Sequence, residues 1–163
     1  MNYEIREMLP EDETRVLDIY RQGIESGIVT FETEIPNKEV WNTTFFNDCR
    51  WVLENENNEV IGWCALQPVS KKEWYKGVAE VSVYLDNNYQ GRGLGSLLIK
   101  KLILDSEEHG FWTLQSNLFS ENETAIKFHH RNGFRTVGVR KKIGQLNGTW
   151  KDVIVLEKRS INI

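Results

Sequence analysis

A run from Val78 to Gly110 constrains this chain more than any other stretch. It opens with Val-Ala-Glu-Val-Ser-Val-Tyr-Leu, in which Ala79, Val81, Val83 and Leu85 alternate with Glu80, Ser82 and Tyr84. Period-two alternation puts the first set on one face of a strand and the second on the other. Gly91, Gly93 and Gly95 follow, and Leu94, Leu97, Leu98 and Leu102 then recur at helical spacing. Gly110 stands where a left-handed cap would end that helix. Glycines let the turn tighten and bring its amides close to a ligand. Unpaired N–H groups at the helix start, with the positive end of the dipole behind them, make an anion site. The spacing predicts a strand, a phosphate cradle and a helix.

Two familiar cradles do not fit. No Gly with four intervening residues before Gly-Lys-Ser/Thr occurs, so this is not a P-loop. A dinucleotide fingerprint needs a third glycine where Ser96 stands, counting from Gly91, or Leu98, counting from Gly93. What does fit is Gln90-x-x-Gly93-x-Gly95, between an alternating strand and an amphipathic helix. It resembles the acetyl-CoA pyrophosphate signature of the GNAT superfamily of N-acetyltransferases.

Length and composition set the bounds. The 163 residues suit a single domain over 1–163 with a proper core. A net charge of -4 argues against a nucleic-acid footprint, so ligand phosphates must be held by a local positive site. The N-terminus lacks an apolar stretch of signal-peptide type, and no apolar run reaches membrane-spanning length. Cys49 and Cys64 read as buried thiols in a reducing compartment, and a cytoplasmic location is the default. Neither has a histidine nearby in sequence, His109 is remote from both with no matching cysteine or acid cluster, and His129 and His130 diverge by about 100° on a helix. No metal is expected.

In chain order the sequence predicts a strand at Tyr3–Glu7, a helix from Pro10 to about Gly23, and a second helix over Lys38–Phe46. Arg50–Glu54 and Val60–Leu66 form a hairpin turning at Asn57-Asn58. Pro68–Lys76 is a basic, aromatic loop. After the central helix come a strand at Phe111–Asn117 and a helix opened by a Ser120-x-x-Glu123 capping box and closed at Asn132-Gly133. Strands at Phe134–Ile143 and Val153–Glu157 finish the chain, joined by a turn at Gln145–Trp150. The fold class is mixed α/β, α+β-like. The motif order implies the GNAT acyl-CoA N-acyltransferase fold, a central, mostly antiparallel sheet flanked by helices.

Further stretches narrow the resemblance. Thr30-Phe31-Glu32-Thr33, Val78–Leu85, Phe111-Trp112-Thr113-Leu114, Gly148–Val153 and Leu156–Ser160 are similar to the phosphinothricin acetyltransferase family and span nearly the whole chain. Members of that family N-acetylate small amino-acid analogues such as phosphinothricin and methionine sulfoximine with acetyl-CoA. The resemblance implies roles. Glu80 matches the proposed general base, which an amine of pKa about 10 requires at neutral pH. The backbone of Val83, Tyr84 and Leu85 would pair with the pantetheine arm. Gln90, Gly91, Arg92, Gly93, Leu94, Gly95 and Ser96 would hold the pyrophosphate, and Asn122 would touch the cofactor while capping its helix. His129 stands where a histidinium could protonate the leaving thiolate, or where a helix histidine could simply pack beside Phe128. Phe31, Glu32 and Thr33 match the roof of the acceptor pocket, and Lys72 and Tyr75 match an Arg-x-x-Tyr that holds a carboxylate. Lys72 lacks the bidentate fork of arginine. Lys151 departs from a family histidine, and Trp150 lines either the pocket or a dimer seam. A homodimer is implied by the resemblance alone.

The leading reading is direct acetyl transfer from acetyl-CoA to the α-amine of a small amino acid or analogue, without an acyl-enzyme. Alternatives are another amine acceptor (a protein N-terminus, a polyamine or an aminoglycoside) or a non-catalytic acyl-CoA sensor. Lys71, Lys72 and Lys76 near the expected entrance favour an anionic acceptor over a polyamine.

Overall fold

The computed structural model describes residues 1–163. In chain order the elements are β1 (Glu4–Glu7), α1 (Glu13–Ser26), α2 (Lys38–Thr44), β2 (Trp51–Glu54), β3 (Val60–Pro68) and β4 (Val78–Leu85). They continue with α3 (Leu94–Glu108), β5 (Thr113–Phe119), α4 (Glu123–Arg131), β6 (Arg135–Leu146) and β7 (Thr149–Arg159). The order of strands and helices is the one expected from sequence. Seven strands form one sheet in the order β1-β2-β3-β4-β5-β7-β6. Every neighbouring pair is antiparallel except β4 and β5.

That parallel pair is short. β4 and β5 are in register only at Val78–Thr113, Ala79–Leu114 and Glu80–Gln115. Beyond Glu80 the strands part. β4 stays paired with β3 as far as Leu85, and β5 stays paired with β7 as far as Phe119. The inner edges of Val81–Leu85 and Ser116–Phe119 thus border a wedge in the sheet.

The two faces carry separate cores. Leu98, Ile99 and Leu102 of α3 pack with Leu53, Leu66, Ala79, Val81 and Leu156 on one face. Val16, Ile19 and Tyr20 of α1 pack with Trp41, Phe45, Val52 and Trp63 on the other. Leu97, expected on the buried stripe of α3, is 42% exposed, so that stripe is narrower than its leucines suggest.

Several local expectations are corrected. α1 runs through Gly23 to Ser26 and is capped by Gly27 at φ 72°. Gly23 serves close approach instead of termination, since a Cβ there would lie 2.6 Å from the ring of Tyr84. The Ser120 capping box does not form. The Ser120 hydroxyl is buried without a partner, and Asn122 caps α4 by accepting from the Ala125 N–H at 3.2 Å. The last hairpin turns at Asn147-Gly148, with φ 48° and 80°, so β6 and β7 are longer than expected. Asn-Gly is the pair that a two-residue hairpin turn favours.

Candidate active site

A cavity of about 1210 Å³ opens at the wedge. Ser82, Val83, Tyr84 and Leu85 of β4 line one wall and Ser116, Asn117, Leu118 and Phe119 of β5 the other. One limb runs toward Gln90, Asn122, Phe128 and His129. A second runs under α1 and α2, past Tyr20, Glu32, Trp41 and Phe45.

Glu80 sits at the apex, at the last residue before the strands part. Its register partners are Gln67 on β3 and Gln115 on β5. Burial pushes its carboxyl above the ordinary value of 4.5, while the amides of Asn117 and Gln67 pull the other way. A half-desolvated carboxylate among neutral amides holds a proton more readily than one in water.

The glycine-rich turn has the geometry of a cradle. Gly91 and Gly93 both adopt φ 75°, which residues with side chains rarely tolerate. Gly93 is the N-cap of α3. The amides from Gly91 through Gly95 donate to no group of the protein. Gly95 contributes differently, since its Cβ would lie 3.2 Å from the Phe128 ring and its absence lets α4 approach α3. Leu94 is buried beneath the turn. Ser96 accepts a hydrogen bond from the Asn132 amide at 3.3 Å. Arg92 turns away from the wedge, donating to the Asn88 carbonyl and lying over the Tyr89 ring.

His129 is 6% exposed. Its Nδ1 lies 2.7 Å from the Ala125 carbonyl, a partner to which only an N–H can donate. Burial lowers its pKa below the ordinary 6.5. The neutral ring carries its proton on Nδ1 and its lone pair on Nε2, and it packs edge-on against Phe128, which favours the packed histidine of the two sequence readings. Asn122 does double service, capping α4 while its amide donates to the Ile28 carbonyl at 3.3 Å. That bond ties the loop carrying Phe31, Glu32 and Thr33 to the limb of the cavity that runs toward Gln90 and His129. Phe31 packs edge-on against Phe119 at 4.8 Å and roofs the wedge beside Glu32.

The structure does not bring Lys72 and Tyr75 to the cavity. Lys72 lies over the Trp74 ring at 5.2 Å, and Tyr75 borders a separate surface groove with Trp74 and Trp112. Neither Lys71 nor Lys76 lines the cavity either. Glu32, Glu34 and Glu80 do, and Arg140 is the one arginine or lysine among the lining residues. Lys151 pairs with Glu121 and lies over Phe119, while Trp150 is exposed on the last hairpin.

Sequence reasoning missed Gln67, Asn117, Tyr20 and Trp41. The first could have been found by extending the alternation of β4 to its neighbours. The two aromatic residues give no local signal.

Comparisons with known proteins bear on the family and the fold. The family model described as "Acetyltransferase (GNAT) family" matches residues 14–134. The chain is similar to a phosphinothricin N-acetyltransferase of Streptomyces coelicolor, 26% identical over 162 residues that cover 95% of each chain. It is similar also to an L-methionine sulfoximine/L-methionine sulfone acetyltransferase of Pseudomonas aeruginosa, 25% identical, covering 96% of this chain and 94% of that one. A phosphinothricin acetyltransferase from Sinorhizobium meliloti, solved in complex with acetyl-CoA, shares the fold. Its TM-score is 0.89 at 23% identity, over 98% of this chain and 89% of that one.

Proposed function

Because the chain belongs to the acetyltransferase (GNAT) family, we propose that it acetylates the α-amine of a small amino acid or analogue, of the phosphinothricin or methionine sulfoximine type. At the coarser level it is an acetyl-CoA-dependent N-acetyltransferase. The finer reading is supported above all by Glu80 standing where β4 leaves β5. Pantetheine would lie along the free edge of Val83–Leu85, its pyrophosphate on the Gly91–Gly95 amides. Glu80 would take the ammonium proton, directly or through one water. The amine would then attack the thioester carbonyl, and collapse of the tetrahedral intermediate would expel the CoA thiolate. As a neutral imidazole, His129 could hand on a proton only after receiving one.

The three cavity glutamates favour a second reading, in which the acceptor is cationic and carries no free carboxylate. CoA release measured across amino-acid analogues, the common amino acids, a polyamine, an aminoglycoside and a short peptide separates the two. Turnover confined to the analogues supports the first. Turnover confined to the polyamine or aminoglycoside discards it, and silence despite acetyl-CoA binding brings forward a sensor. A homodimer also belongs to this proposal. Val137, Val139, Ile143 and Trp150 are exposed on the β6–β7 hairpin, and a monomer by light scattering would refute that assignment.

A further inference from the structure

At the far end of α3 from the cradle, about 20 Å along the helix, three ligand-type side chains converge that take no part in the cavity. Cys49 precedes β2, Asp105 lies in the last turn of α3, and His109 is its C-cap. Their Sγ, carboxylate oxygen and Nδ1 all lie within 4.8 Å of one another. This corrects the sequence expectation that neither cysteine meets a histidine and that His109 has no acidic or thiol neighbour.

The spacing is that of a coordination sphere. Cys49 Sγ lies 3.7 Å from His109 Nδ1, and Nδ1 lies 3.4 Å from Asp105 Oδ1. A tetrahedral zinc ion, with bonds of about 2.3 Å to sulfur and about 2.0 Å to nitrogen and oxygen, sets S···N near ~3.5 Å and N···O near ~3.3 Å. The outer partners are also in place. Asp105 is 7% exposed, and its other oxygen, Oδ2, accepts from the Trp51 indole N–H at 2.8 Å. On the far side of His109, Nε2 faces Asp48 Oδ1 at 3.8 Å. Metal-binding histidines commonly give their second ring N–H to a carboxylate, which fixes tautomer and orientation. Cys49 and Asp105 are buried while the His109 side chain is 38% exposed, so a fourth position faces solvent.

We propose that Cys49, Asp105 and His109 bind a divalent cation of the zinc class, with Asp48 orienting the imidazole. Thiolate, imidazole and carboxylate suit zinc or cobalt better than magnesium or calcium, which prefer oxygen alone. One contact must be exchanged. Nδ1 now lies 2.9 Å from the Asp105 carbonyl, and on coordination the ring proton moves to Nε2 and toward Asp48. The Cys49 thiol releases its proton to solvent, and thiolate plus carboxylate balance the dication. The ion would clip the segment before β2 to the end of α3 and leave the transferase cavity untouched.

The test uses the full-length, untagged chain, stripped by a chelator and titrated with Co²⁺ and Zn²⁺. Expected are one Co²⁺ per chain, a near-ultraviolet thiolate-to-cobalt band, and a higher melting temperature with Zn²⁺. Cys49→Ser should lose the band, His109→Gln should weaken binding at least tenfold, and Asp48→Asn should weaken it by less. Each variant should keep the parent's thermal shift with acetyl-CoA, which reports folding independently. Absence of the band in the parent, or parental affinity in both Cys49→Ser and His109→Gln, overturns the proposal.

Discussion

On the α3 side of the sheet the core is nearly all aliphatic, with Leu53, Leu66, Leu98, Ile99, Leu102 and Leu156 shut from water. On the α1 side the corresponding space holds Tyr20, Trp41, Phe45, Trp63 and Tyr84, stacked, tilted or edge-on at centroid distances of 4.9 to 5.9 Å. The aromatic face buries the indole N–H of Trp41 and of Trp63 without a partner in the protein, and it adjoins the destabilised carboxylate of Glu80. Unpaired buried donors cost about 1–3 kcal/mol each, a cost this face carries at two indoles. The same face walls the limb of the cavity under α1 and α2, while Val81, Val83, Leu85, Leu118 and Phe128, which belong to or pack against the aliphatic core, line the rest.

Substitutions that exploit this contrast differ widely in size. Glu80→Gln should cut turnover at neutral pH by about 10²- to 10⁴-fold, the usual worth of a positioned base, and leave acetyl-CoA affinity unchanged. A fully active variant would dismiss Glu80 as the base. In the parent, kcat/KM should fall on the acid side with a midpoint above 4.5, because only the ionised carboxylate accepts the proton. Leu98→Ala, on the aliphatic face, should cost about 2–5 kcal/mol in urea unfolding by leaving a cavity in packed surroundings. A loss below about 1 kcal/mol would mean that this face yields as readily as the other.

The same contrast governs what could be read from sequence. β4, the cradle and α3 were legible because each depends on residues a few positions apart: an alternation, three glycines and a stripe of leucines. The aromatic wall was not, since α1, α2, β3 and β4 each contribute one or two residues that meet only after folding. Lys72 was misplaced for a related reason. Its match to a family Arg-x-x-Tyr suggested the cavity, but the chain between β3 and β4 carries it to the Trp74 surface instead. The Cys49–His109 contact spans 60 residues and could not be seen from spacing. His129 was found by position, yet its protonation state depends on burial and on one carbonyl of its own helix.

Smaller effects probe the seam between the faces. Asn122→Ala removes both the α4 cap and the bond to the Ile28 carbonyl, and should cost about 1 kcal/mol. A structural cap alone predicts an unchanged KM for the acceptor. If the bond to Ile28 also seats the Phe31 loop, KM should rise with stability corrected for.

One further effect on stability, similar in size to that of Asn122→Ala, has the opposite sign. Glu80→Gln should stabilise the fold at neutral pH, by about 1 kcal/mol, even as it cuts turnover. The sign follows from linkage. A carboxyl whose folded pKa is raised binds its proton more tightly in the native state, so its stabilising contribution is present below the unfolded value and is lost as pH rises through the folded one. At pH 7 the ionised carboxylate is therefore a liability that an amide removes. Urea unfolding of parent and variant at pH 7 and again at pH 4 should show the gap narrowing toward the acid side. A gap that is constant with pH would mean that the amide stabilises by packing, and that the charge at the apex costs the fold nothing.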